Sequence, residues 1–210
     1  MPDYHVNLAL FIAASWALIA APGPDMLYVI TRGVPQGRTA GLVSAAGVTV
    51  GLLVHTCAAA LGLAAVLRTS AIAFMLVKYV GVVYLVYLGV KSLRDKSALL
   101  PDEKKEPMKL RAMFAQGVLS NVLNPKVALF FLAFLPQFVD SSAGHVTQQM
   151  LLLGLMFAFF TWLAYSVLGY FAGHFGGWLV RKANLAAQLR WVTGSVLIAL
   201  GLRLAFTERQ

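Results

Sequence analysis

Charge is scarce in this 210-residue chain: 12% of residues are Asp, Glu, Lys or Arg, against about 25% in a soluble domain. With 60% apolar residues and a mean hydropathy of +0.76, that scarcity excludes an ordinary soluble globule and points to an integral membrane protein. Acidic residues are scarcest, 8 against 17 basic, for a net charge of +9. The basic residues fall between apolar segments. That pattern reads as membrane topology and contact with anionic lipid, not as binding of nucleic acid. Cysteine is nearly absent. Cys57 stands alone, which excludes an intrachain disulfide and a dithiol electron carrier, and it reads as a small buried packing residue. No Lys or Arg precedes the first apolar run, so no cleavable signal peptide is expected and that run is read as a span. No His-Asp-Ser set and no pair of intramembrane carboxylates supports a hydrolase, so no enzyme is expected. His55 and Cys57 are two residues apart and point in opposed directions on a helix, so no metal site is expected either.

What the chain has in abundance is apolar length. A spanning helix needs about 20 mostly apolar residues. Six segments qualify, at roughly 7–34, 40–67, 71–91, 112–138, 147–173 and 188–206. The clear hydrophilic stretch, "RDKSALLPDEKKEPMKLR", separates two halves. The organisation expected is a first three-helix unit over 1–93, a charged linker over 94–111 and a second three-helix unit over 112–210. Connections after segments 1, 3 and 5 carry Arg32, Arg38, Lys91, Arg94, Lys96, Lys104, Lys105, Lys109, Arg111, Arg181, Lys182 and Arg190; the opposite side carries Arg68, Arg203 and Arg209. The positive-inside rule then places the linker in the cytoplasm and both termini in the periplasm.

The halves resemble one another. A shift of 101 residues lays Pro24 on Pro125 and Pro35-Gln36 on Pro136-Gln137. A shift of 112 lays "KYVGVVYLVYLGVK" on "RWVTGSVLIALGLR". Two matches in the same order indicate an internal repeat. A unit of three helices, repeated, enters the membrane upside down the second time. Such inverted repeats are a common transporter architecture, with the site near the midplane at broken helices.

Two breaks are legible. In "APGPDM", Pro22, Gly23 and Pro24 interrupt the first apolar run, and Asp25 follows. In "SNVLNPK", Pro125 pushes Asn124 out of helical geometry, and Lys126 follows. Freed backbone groups are tolerated in hydrocarbon only where protein or water supplies partners, so both breaks should face the bundle interior. Asp25 and Lys126 each lie about 15 Å from the Pro-Gln at their helix end, half of a ~30 Å hydrocarbon core. A charge at that depth is a functional-site hypothesis by default. The opposed pair suits a zwitterion. Lys126 and a half-helix N-terminus would hold a carboxylate, and Asp25 with freed carbonyls would hold an ammonium. Ser120, Asn121 and Asn124 would add hydrogen bonds, and Asp25 is the candidate carrier of a coupling proton. The plainer alternative is a buried Asp25–Lys126 ion pair that locks the halves together. Gly47 and Gly51, with Gly41, Gly169 and Gly173, read as small faces for close helix packing and offer a surface on which two copies could dimerise. Thr161, Trp162 and Tyr165, like Phe130, Phe131 and Phe134, read as packing or lipid-facing residues before cavity residues.

"APGPDMLYVITRGVPQGRTAGLVSAAGVTVG", "GVLSNVLNPKVALFFLAFLPQF" and "KYVGVVYLVYLGVKSLR" resemble, in order, the signatures of the lysine exporter family in its RhtB branch of homoserine, threonine and homoserine-lactone efflux proteins. The resemblance implies an all-helical bacterial inner-membrane exporter of amino acids or derivatives (threonine, homoserine or lysine-like), driven by proton-motive force and needing no cofactor. It carries over to Pro22, Gly23, Pro24, Asp25, Gly41, Gly47, Gly51, Asn121, Asn124, Pro125 and Lys126. The alternative on the same architecture is a divalent-cation exporter. It is disfavoured because Lys126 would repel the ion where a second carboxylate is wanted.

Overall fold

The computed structural model describes residues 2–63, 71–94, 108–140 and 143–181, with 191, 194, 195, 198, 199, 201, 202 and 205. The body of the charged linker and most of the sixth apolar segment, with half of the second copy of the repeat found at a shift of 112, lie outside the described residues. Every element described is helical. They are α1 (Pro2–Ala20), α2 (Pro24–Ala58) with a π turn at Ala59–Leu63, α3 (Ala71–Arg94), α4 (Leu110–Val122), α5 (Pro125–Leu129) and α6 (Val146–Arg181). The chain leaves α5 through a π turn, Phe130–Phe134, and a 3₁₀ turn, Leu135–Phe138.

Pro24–Gly62 and Val146–Ala172 are long and apolar enough to cross a membrane. Leu110–Val122 and Pro125–Phe138 make a third crossing if taken as one span bent by 45°. Leu8–Ala20 is apolar but short. This is an all-α membrane protein. The breaks fall where proline dictates: α1 stops at Ala20 and α2 starts on Pro24, while α4 stops at Val122 and α5 starts on Pro125. Proline fits the first helical turn because its missing N–H is an orphan there in any case.

Taken as one straight helix, Pro24–Gly62 would be about 58 Å long, twice a ~30 Å hydrocarbon core. It is not straight. Gly37 has φ 82° and ψ 179°, outside helical geometry and in a region that glycine alone enters cheaply. A Cβ on Gly33 would lie 3.4 Å from Gly41 Cα. Eight residues along a straight helix span about 12 Å. The chain therefore folds back at Gly37 into two antiparallel legs, 24–36 and 38–58. The expected gap between segments 7–34 and 40–67 is thus a single-residue fold, with no loop. Segment 147–173 also runs further than expected, continuing as helix to Arg181.

α4 lies against both legs. Gly47 meets the Phe114 backbone, Gly51 would place a Cβ 2.7 Å from Asn121 Cβ, and Gly117 would place one 2.9 Å from Ser44 O. α6 closes the other side, where Gly41 and Gly169 meet backbone to backbone with no room for a Cβ on either. Gly41, Gly47, Gly51 and Gly169 are therefore engaged within one chain, and the surroundings of Gly173 lie outside the described residues. Phe130, Phe131, Phe134 and Phe157 are fully buried, with Phe130 stacked on Phe157 at 4.6 Å. Cys57 corrects its expectation: it is exposed on the outward face of α2, where an apolar run meets lipid as readily as core.

Candidate functional site

Each break leaves backbone carbonyls without helical partners. At the first, Lys126 Nζ donates to Ala21 O at 2.8 Å, and Tyr165 Oη reaches Ile19 O at 3.4 Å. At the second, Asn121 O accepts from Asn124 N at 2.9 Å and from His55 Nε2 at 3.1 Å. The two breaks are thus stitched to each other and to α2 and α6. Gly23 has a steric role, since a Cβ there would lie 3.3 Å from Lys126 Nζ and 3.4 Å from its Cδ. The "PGP" triplet stops one helix, starts the next and leaves space for the lysine of the other half.

Asp25 is 4% exposed. Asn121 Nδ2 and Asn124 Nδ2 each donate to its Oδ2 at 2.8 Å. Ser120 Oγ approaches Oδ1 at 3.5 Å, longer than a good O–H···O bond. Asn124 does two jobs: its Oδ1 accepts from Lys126 N at 3.0 Å, the N-cap of α5, while its amide nitrogen holds the carboxylate. Lys126 is 7% exposed, and its ammonium is turned toward Ala21 O. The plainer alternative, a direct Asp25–Lys126 ion pair, gives way to two separately held charges. Of the freed carbonyls that were expected, with Asp25, to hold a substrate ammonium, Ala21 O is taken by Lys126 itself.

Between the charges lies a cavity of about 20 Å³, lined by Asp25, Asn121, Asn124, Lys126, Gly23, Leu18, Ile19, Leu52, Val127, Phe157, Thr161 and Tyr165. One water needs about 10–15 Å³ on such a measure, so the cavity holds a water or two and no amino acid. In this conformation the space between these side chains is too small for cargo. Of the residues singled out in the sequence, the structure brings together Gly23, Asp25, Asn121, Asn124 and Lys126, with Ser120 at the edge. Pro24 and Pro125 are exposed at their helix starts and act through the backbone. Pro22 is partly buried at the break. Thr161 and Tyr165, read as packing residues, are buried at 3% and 5% and line the cavity, while Trp162 faces outward at 45%. Their spacing held the signal: 157, 161 and 165 are successive four-residue steps on one helix face.

A family model, "LysE type translocator", matches residues 16–208. The chain belongs to the LysE-type translocator family. It is 32% identical, over 97% of its length and 98% of the relative's, to an uncharacterized membrane protein of Vibrio cholerae. It is 30% identical to the uncharacterized membrane protein YrhP of Bacillus subtilis, covering 94% and 97%. It is 29% identical to the leucine efflux protein of Salmonella choleraesuis, covering 97% of each chain. No solved structure matches it.

Proposed function

We propose that this LysE-type translocator is a proton-coupled secondary transporter that exports amino acids or close derivatives across the bacterial inner membrane, from a site between its two broken helices. The observation that carries the reading is the meeting of the buried Asp25 and Lys126, one from each break, in the lining of one cavity. Such charges are rare in hydrocarbon unless they serve transport. Leucine efflux by a full-length relative supports the cargo class.

In this reading the chain is six spans in two inverted units, 1–93 and 112–210, joined by the cytoplasmic linker 94–111, with both termini periplasmic. The substrate carboxylate draws the Lys126 ammonium off Ala21 O. The substrate ammonium then takes the released carbonyl and the Asp25 carboxylate. A proton on Asp25 and an ammonium beside it compete for one charge, which is the logic of exchange. The apolar wall of Leu18, Ile19, Leu52, Val127 and Phe157 favours a neutral aliphatic side chain over a lysine-like one.

The test is release from cells fed dipeptides, so that internal amino acids accumulate. Selective release of neutral amino acids, abolished by Asp25→Asn, by Lys126→Ala and by a protonophore, is the expected result. No release above background with the protein present in the membrane would overturn the reading.

A further inference from the structure

The first leg of α2 and α4 run antiparallel along a seam that leads from the cavity toward the linker. Asp25 meets Asn121, the Tyr28 ring meets Gly117, Arg32 Nη2 donates to Gln116 Oε1 at 2.9 Å, and Met108 N donates to Gln36 Oε1 at 2.8 Å. Asp25 and Arg32 are seven residues apart, so they share a helix face about 10 Å apart along the axis. This seam is oddly polar for a closed packing surface. Among the described residues, five buried side-chain groups lack a hydrogen-bond partner, and three of them lie where α4 packs on α2: Arg32 Nε and Gln36 Nε2 on the first leg, and Asn121 Oδ1, which faces Gly51 of the second. Buried polar groups in native proteins are nearly always paired, so a file of unpaired ones asks what pairs them in another conformation.

Arg32 is the sharpest case. Its side chain is 6% exposed, with Tyr28 beside it, the guanidinium carbon 5.8 Å from the ring centroid. It has no carboxylate partner among the described residues. Nε and Nη2 form one edge of the guanidinium fork. Gln116, itself exposed at the surface, fills the Nη2 half with an amide oxygen, and the Nε half is empty. A carboxylate fits that whole edge with two parallel bonds, which a neutral amide cannot match.

We infer that this seam is the linker-side access path to the cavity and that Arg32 is a carboxylate-binding station on it, taking the α-carboxylate of an incoming amino acid before Lys126 does. The inference rests on the exporter reading above. Gln116 holds the place while the seam is closed, and an arriving carboxylate displaces it. The orphan groups further in are then paired by water or by substrate as the two helices part.

Uptake of leucine into membrane vesicles with the linker side outward, with KM and kcat read separately, tests this. Arg32→Gln should raise KM for leucine about tenfold or more, the usual loss for a hydrogen bond to a charged group, and leave kcat within about twofold, because the Asp25 and Lys126 site is untouched. Arg32→Lys should fall between. A fall in kcat with KM unchanged, or neither moving, would overturn the assignment. If Arg32→Gln fails to reach the membrane, Ser44→Cys in a Cys57→Ser chain replaces it. A membrane-impermeant thiosulfonate added from the linker side should label that buried thiol, and leucine should slow the labelling. A thiol that stays unlabelled during transport overturns the path. Absence of uptake by the wild-type protein sinks the exporter reading itself, whereas wild-type uptake with an unmoved Arg32→Gln sinks only the Arg32 station.

Discussion

Asn124 joins structure to chemistry at the level of one side chain. It caps α5 through Oδ1 and holds Asp25 through Nδ2, whereas Asn121 holds Asp25 and caps nothing. The two substitutions should therefore separate. Asn124→Ala removes a cap worth about 0.5–2 kcal/mol as well as a carboxylate partner, and should lower both the melting temperature in detergent and the transport rate. Asn121→Ala should lower transport at least as much with a smaller loss of stability. Equal effects on both measurements would mean that the amides serve only packing. Asp25, Lys126 and both amides were legible in the sequence, because charge and proline coincide there at the same offset in both halves. The partners were not. Nothing in "PGPD" says that Ala21 O takes the lysine, nor that Tyr165 crosses from α6 to Ile19 O, because those contacts depend on how three distant segments meet. Arg32 was read as a topology signal, and its burial shows only once the Gly37 fold brings α4 alongside.

At the scale of elements, the fold turns on glycines of two kinds. Gly37 permits the reversal through its positive φ, and Gly41 with Gly169 permits the contact that follows. Gly37→Ala should cost about 1–3 kcal/mol, the penalty of placing a side chain in a backbone region essentially confined to glycine, and nothing more, since no atom lies within 4 Å of its Cβ position. Gly41→Leu drives a branched side chain into the Gly169 backbone and should cost more than the usual 1–3 kcal/mol of overpacking. Melting curves in one detergent rank the two, and a milder effect at Gly41 would contradict the close contact of α2 with α6. The small-residue spacing made these glycines visible in the sequence as a packing face. It did not distinguish a contact within one chain from one between two, which only the partner surface decides. Gly37 falls inside the expected gap between segments 7–34 and 40–67, whereas the end of segment 147–173 was less legible, because the helix runs on to Arg181.

For the whole molecule, a cavity too small for cargo, lined by two separately held charges, means that transport requires the breaks to part. In the proposed mechanism that motion opens a single site built jointly by both halves. Exchange of labelled leucine across proteoliposomes containing the full chain, with Asp25→Asn, Lys126→Ala and the double variant compared at equal reconstituted amounts, tests this most directly. If the two charges serve one site, each single variant loses at least tenfold in exchange rate and the double variant loses little more than either. Near-wild-type exchange in either single variant, or losses that multiply in the double variant, would contradict it.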